Sequence, residues 1–96
     1  MTAAAERREP KAPAHLPPAE AAIWAEVTAR NPDPYIVSPM LEAYCGQVAR
    51  LREAQRRIAA EGLIISDPKG FPIPHPAIAI EKAAQAEIRA WGSRFS

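Results

Sequence analysis

The fold is decided by residues 38–62, whose sequence is SPMLEAYCGQVARLREAQRRIAAEG. Ser38 is a suitable N-cap residue, and Pro39 suits the first helical position because the N–H that proline lacks would have no partner there. Gly62 is suited to ending the helix. The stretch therefore predicts one long helix over residues 38–61.

Large or apolar side chains recur along this helix at spacings of three and four residues, which is the pattern of a heptad seam. We call the seam the set Leu41, Tyr44, Val48, Leu51 and Ile58, with Gln55 in the same series. A stripe of this length must be covered by another helix of the chain or by a neighbouring subunit. The sequence leaves both possibilities open.

Shorter segments on either side complete a mostly helical fold. Pro18 predicts the start of a first helix over residues 18–30, which ends before the Asn-Pro-Asp-Pro run at 31–34 because the residue before a proline avoids helical dihedral angles. The spacing of apolar side chains predicts a third helix over residues 76–91, with His75 as a candidate cap. Residues 93–96 are predicted to form a short polar tail.

A small β-hairpin is predicted over residues 63–74, just before the last helix. The run Asp67-Pro68-Lys69-Gly70 has the chemistry of a type I turn, and the apolar stretches 63–65 and 71–74 flank it. Pro72 and Pro74 occupy alternate positions of the return strand, so both missing N–H groups lie on one edge. That edge is blunted against further strand pairing.

Length and composition limit what the chain can be. The 96 residues allow one domain at most. Residues 1–15 are rich in alanine, proline and charge, which predicts a disordered N-terminal arm before a single domain over 16–96. The one cysteine excludes an internal disulfide and fits a reducing cytoplasm. Because a domain of this size is marginally stable alone, we expect a homo-oligomer.

Net charge and hydropathy exclude several classes. Twelve Lys and Arg against eleven Asp and Glu leave a net charge of +1, so any nucleic-acid binding must come from a local cluster. No apolar stretch is long enough to span a membrane, and the N-terminus lacks the apolar stretch of a secretory signal. The expected location is the cytoplasm, with no membrane partner.

No catalytic constellation can be assembled from the sequence. Cys45 could act as a nucleophile with His15 or His75 as its base, but a small buried hydrophobe is the favoured interpretation. Trp24 and Trp91 could stack on bases, although both lie on apolar helix faces where packing is favoured. There is no phosphate-binding loop and no zinc-type spacing, so we expect no catalytic residue, cofactor or metal.

One cluster could contact DNA. At about 100° per residue, four arginines of the long helix fall on the face opposite the seam. We call them the arginine set: Arg50, Arg52, Arg56 and Arg57. A solvated helix face or contacts between subunits would explain such an arc equally well. Lys69 at the hairpin tip is a lesser candidate, and the arm offers Arg7, Arg8 and Lys11.

Several short motifs follow one another along the chain in an order that is typical of a known protein family. They are His15-Leu16-Pro17 before a helix with Trp24, a long arginine-rich helix with Tyr44, the run Ile58-Ala59-Ala60-Glu61-Gly62-Leu63, the turn Asp67-Pro68-Lys69-Gly70, and His75-Pro76-Ala77 opening a helix that ends in Trp91-Gly92. Over residues 14–94 the chain resembles the phage terminase small-subunit family of cohesive-end phages, prophages and gene-transfer particles. The family often has Asn where His75 stands.

The resemblance implies a non-enzymatic subunit in the host bacterial cytoplasm. Such a subunit would form a closed ring, bind double-stranded DNA and present it to the large terminase subunit, an ATPase and nuclease, for packaging. Because the arginine set offers only a small excess of positive charge per chain, we expect this binding to be weak and largely without sequence specificity. Two alternatives remain from the residues themselves. They are a helical adaptor that binds only proteins and a small DNA-binding regulator.

Overall fold

The computed structural model describes residues 11–95. Within these residues it contains three α-helices, α1 (Pro18–Arg30), α2 (Pro39–Glu61) and α3 (Ala77–Trp91), and an antiparallel hairpin of β1 (Ile64–Ser66) and β2 (Pro72–Pro74). Two short 3₁₀ helices cover Pro34–Ile36 and Gly92–Phe95. The predicted fold class, three helices with a long central one and a hairpin before the last, is confirmed. Residues 1–10 of the predicted arm, with Arg7 and Arg8, lie outside the described residues.

The ends of α2 follow the predicted chemistry. The Ser38 hydroxyl accepts a hydrogen bond from the Leu41 N–H at 3.3 Å, which satisfies one of the unpaired donors of the first turn. At the other end the Gly62 N–H donates to the Ile58 carbonyl, and Gly62 has a φ of 89°, a value that favours glycine. Local signals alone therefore define the longest element of the fold.

The hairpin turn closes through the side chain of its first residue. The Asp67 carboxylate accepts from the N–H groups of Lys69 and Phe71, both at 2.9 Å, and the Gly70 N–H donates to the Asp67 carbonyl. Ile65 pairs with Ile73 at the centre of the ladder. The strands are shifted slightly from the predicted ranges: β1 runs from 64 to 66 rather than 63 to 65, and β2 begins at 72.

The start of α3 depends on His75, which is buried. Its Nδ1 accepts from the Ala77 N–H at 2.9 Å, and its Nε2 lies 2.7 Å from Oε1 of Glu61 at the end of α2. Because Nδ1 is an acceptor, the proton lies on Nε2 and is donated to Glu61. Pro76 already has helical dihedral angles, so His75 acts as the cap and joins the end of α2 to the start of α3.

We expect His75→Ala to lower the free energy of unfolding by about 1–2 kcal/mol, because it removes a cap and a hydrogen bond to a carboxylate. His75→Asn should lose less, since the Asn side-chain oxygen can accept from the same N–H. Urea unfolding at a fixed protein concentration measures both. Equal losses in the two variants would show that the cap contributes nothing.

The core lies where α1, the first half of α2 and the end of the chain meet. Its buried members are Ile23, Trp24, Val27, Ile36, Leu41, Tyr44, Cys45 and Phe95. Of the seam, Leu41 and Tyr44 are buried, whereas Val48, Leu51 and Ile58 are half-buried. The main contacts of α2 are with α1 and α3, so helices of the same chain cover the first part of the seam fully and the rest partly.

The prediction of a polar tail over residues 93–96 is wrong at Phe95. Its side chain is 0% exposed, and its ring packs on Tyr44 with centroids 5.1 Å apart. The 3₁₀ helix Gly92–Phe95 turns the chain back over the core, and Arg30 of α1 donates to the Phe95 carbonyl at 3.1 Å. A single aromatic residue after a helix stop has no periodicity, so the pattern did not reveal it.

Candidate nucleic-acid interface

All four members of the arginine set are exposed on α2. Arg52 reaches across to α1, where its Nη2 lies 3.4 Å from Oε1 of Glu26. Both side chains are about half exposed, with fractions of 56% and 48%. Ion pairs this exposed contribute roughly 0–1 kcal/mol, so a phosphate could replace Glu26 as the partner of Arg52 at small cost.

Arg56 and Arg57 share one carboxylate. Both donate to Glu53, with the Arg57 Nε at 2.7 Å from Oε2. Hydrogen bonds from Arg57 and Arg56 hold the pKa of the Glu53 carboxyl below its ordinary value. Glu53 is therefore ionised at neutral pH and offsets one of the two positive charges. Each guanidinium has five N–H donors, so most of them remain free for phosphate oxygens.

Arg50 and Arg57 line an open groove of about 770 Å³. Its walls come from the first turn of α1, the middle of α2 and the start of α3, and five of its twelve lining residues are alanine or glycine: Ala19, Gly46, Ala49, Ala54 and Ala77. Glu20, Glu53 and His75 supply the remaining polar groups. Within residues 11–95, Arg50 is the member of the arginine set without an ion pair.

The members of the arginine set thus have different surroundings. Arg50 and Arg57 lie in the groove beside carboxylates, Arg56 pairs with Glu53 outside the groove lining, and Arg52 faces Glu26. Lys69 lies on a separate element, the exposed hairpin tip. The four arginines have two carboxylate partners, Glu26 and Glu53, so the arginine set keeps an excess of two positive charges over its ion-pair partners. Sequence reasoning missed Glu20 and Glu26, because only packing brings α1 beside α2.

The other candidate residues are accounted for by packing. Trp24 is 1% exposed and cannot stack on a base. Trp91 is half-buried, with its Nε1 donating to Glu87 and its ring edge-on to Tyr44. Burial, together with the nearby carboxylates of Glu20 and Glu42, raises the pKa of the Cys45 thiol from 9.0 to about 11. The thiol is neutral at physiological pH and is not an activated nucleophile.

Neither histidine serves Cys45. His15 lies 2.7 Å from Glu42 at the start of α2, and His75 is engaged with Glu61 and Ala77. In the part of the chain that the structure describes, no group of three or more acidic, cysteine or histidine side chains could hold a metal ion. Among the described helices, none combines the length and hydropathy needed to cross a membrane.

Comparison with known proteins agrees with the resemblance drawn from the short motifs. No curated protein and no solved structure gives a significant match. The family model of the phage terminase small subunit matches residues 21–96, which includes all three helices apart from the first turn of α1, and the hairpin. The match covers most of the sequence and confirms the expected family. The chain therefore belongs to the phage terminase small-subunit family, whose members take part in DNA packaging.

Proposed function

We propose that this chain binds viral or host DNA and presents it to the large terminase subunit for packaging into capsids. It acts as a non-enzymatic subunit in the host bacterial cytoplasm, where packaging takes place. The observation that carries the proposal is the exposed arginine set of α2, whose positive charge exceeds that of its carboxylate partners. Because the family takes part in DNA packaging, DNA phosphate is the partner we expect for this excess positive charge.

The proposed binding mode is weak and largely non-specific. Two excess charges on one chain would hold DNA poorly. Affinity for DNA grows with the number of phosphates that are neutralised, since each contact releases counterions, and one chain can neutralise only a few. A closed homo-oligomeric ring repeats the excess once per subunit, so several phosphates can be contacted together. The half-buried part of the seam, Val48, Leu51 and Ile58, is the surface we assign to packing between neighbouring subunits. Modest affinity suits a loading factor, since the DNA must move on into the motor.

The test replaces Arg50 and Arg52 with Gln together. This variant removes two positive charges without releasing Glu53 from its arginine partners. We expect the slope of log affinity against log salt to fall by about 1.8 if one subunit contacts DNA through both residues, and by a multiple of this if several do. Fluorescence anisotropy with a duplex of arbitrary sequence, measured from low to physiological salt, gives the slope.

Arg89→Gln is the matched control, because Arg89 is exposed on α3 outside the arginine set. It should keep the parent slope. If the double variant also keeps the parent slope and affinity while the oligomer stays intact, Arg50 and Arg52 do not contact DNA, and the proposal that the arginine set binds it through these two residues is wrong. DNA contact would then be sought at Lys69 and at Arg7, Arg8 and Lys11 of the arm. Absence of DNA binding at low salt in the parent chain would favour the protein-binding adaptor instead.

A further inference from the structure

The two edges of the hairpin differ in what they can offer another strand. The His75 N–H donates to the Leu63 carbonyl at 2.7 Å, and the Asp67 N–H donates to the Phe71 carbonyl at 2.8 Å. Antiparallel strands alternate between residues that bond inward and residues that bond outward. The backbone groups of Ile64 and Ser66 on β1 therefore point away from β2. Those of Pro72 and Pro74 point away from β1.

The outer edge of β2 is closed to full pairing, because both residues that face outward are prolines and have no N–H. The outer edge of β1 keeps both N–H groups and both carbonyls. In head-to-tail pairing, β1 of one copy would lie against β2 of the next. Only the hydrogen bonds donated by β1 could form, because the two prolines of β2 have no N–H to donate. A continuous sheet around a ring is thus disfavoured, and the hairpin can be extended efficiently only at β1.

Apart from its length of three residues, the open edge of β1 also lacks the usual protection of an exposed strand. Natural edge strands carry lysine, proline or a bulge that prevents pairing with other chains, and the segment Ile64-Ile65-Ser66 has none of these. Its surroundings are apolar and exposed, with exposed fractions of 61% for Leu63, 61% for Ile64 and 63% for Phe71. Such a patch is typical of an interaction surface.

We propose that β1 pairs with β1 of a second copy in antiparallel orientation about a two-fold axis through Ile65. In this register Ile64 of each copy is opposite Ser66 of the other, so the two outward-facing residues of each strand exchange all their hydrogen bonds. The prolines then lie on the two outer edges of a four-stranded sheet, where a further strand could not pair fully. The pairing is self-complementary, as a two-fold interface requires.

Charge supports the same antiparallel orientation. It puts the hairpin tip of one copy, with Lys69, at the same end of the new sheet as the end of α2 in the second copy, with Glu61. Lys69 and Glu61 are both exposed, and Glu61 bonds His75 through Oε1 only. A parallel arrangement would instead bring Lys69 beside Lys69. The second copy is therefore a better occupant than an arbitrary extended peptide.

This contact is separate from the DNA-binding role and from the helix contacts proposed within a ring. A ring whose subunits also pair through β1 joins a second ring, whereas a chain with only the β1 contact forms a dimer. In both cases the assembly contains an even number of chains. Loss of the β1 contact should therefore halve the mass, whatever the size of the ring.

Ser66→Pro tests the proposal, because it removes an outward N–H and leaves the β1–β2 ladder intact, as Pro72 already does on the other strand. Ser66→Ala is the matched control, since it keeps the N–H. Multi-angle light scattering of the full chain should show half the parent mass for Ser66→Pro and the parent mass for Ser66→Ala. An odd number of chains in the parent, or an unchanged mass for a folded Ser66→Pro, would overturn the proposal.

A cross-link keeps the test decisive if Ser66→Pro fails to fold. At the two-fold axis the Ile65 residues form a pair without mutual hydrogen bonds, whose Cα atoms lie roughly 4.5 Å apart, within disulfide reach. Ile65→Cys should therefore oxidise to a covalent dimer, and Ser66→Cys, which lies off the axis, should oxidise far more slowly. Equal rates would contradict the register. DNA affinity, measured separately, keeps this outcome distinct from that of the packaging function.

Discussion

Replacing Phe95 with Ala is expected to lower the free energy of unfolding by about 3–5 kcal/mol, the range for removing a fully buried aromatic side chain. The ring is 0% exposed and fills the space beside Tyr44. The end of the chain is also held at its backbone, where Arg30 donates to the Phe95 carbonyl. Because small domains have about 5–15 kcal/mol of total stability, the loss removes a large share. Urea unfolding followed by circular dichroism measures it.

Tyr35→Ala is the matched control for this change. Tyr35 is also aromatic and lies in a short 3₁₀ helix, but its side chain is 82% exposed. Its removal should change stability by no more than about 0.5 kcal/mol, as for other surface substitutions. Both measurements need the same protein concentration, because oligomerisation adds to apparent stability. If Phe95→Ala is as stable as Tyr35→Ala, residues 92–95 do not complete the core in solution.

Gly92→Ala should destabilise the chain by about 1–3 kcal/mol, the usual cost of overpacking a filled space. A Cβ at this position would lie 2.9 Å from Cε1 of Tyr44 and 3.2 Å from Cγ2 of Ile88. The Tyr44 ring cannot withdraw easily, because it is packed against both Trp91 and Phe95. The φ of Gly92 is −84°, which any residue adopts, so the penalty comes from contact alone.

Gly46→Ala is expected to have the opposite sign. Gly46 lies inside α2, where Ala is preferred over Gly by up to about 1 kcal/mol. The nearest atom to its Cβ would be Oε1 of Glu20 at 3.6 Å, an ordinary contact. Chemical unfolding of the two single variants should therefore move the midpoint in opposite directions. Stabilisation by Gly92→Ala would show that the chain end does not pack against Tyr44.

Much of the fold could be predicted from the sequence because its signals are local. Ser38 and Pro39 start α2, Gly62 ends it, and the turn at 67–70 closes on the side chain of Asp67. Each signal acts within about four residues of the chain, where backbone preferences and single hydrogen bonds decide the conformation. The family could be recognised for the same reason, since it rests on the order of such local motifs.

The candidate interface was predictable only in its composition. The arginines of α2 and their exposed positions follow from helical periodicity. Their partners do not, because Glu26 and Glu20 belong to α1 and reach α2 only after the helices pack. The sequence therefore indicated a positive arc, whereas the structure shows two arginines in a groove with carboxylates and one bridging to α1.

The sequence by itself determined the three helices and the hairpin with its proline-blocked edge, and it indicated His75 as a candidate cap. The tertiary structure alone decided that Phe95 belongs to the core, that His75 also bonds Glu61, and that β1 keeps an open edge beside exposed apolar side chains. Contacts such as Arg30 with Phe95 join residues 65 positions apart. No periodicity or turn signal encodes such a pair, because its geometry depends on the packing of every element between them.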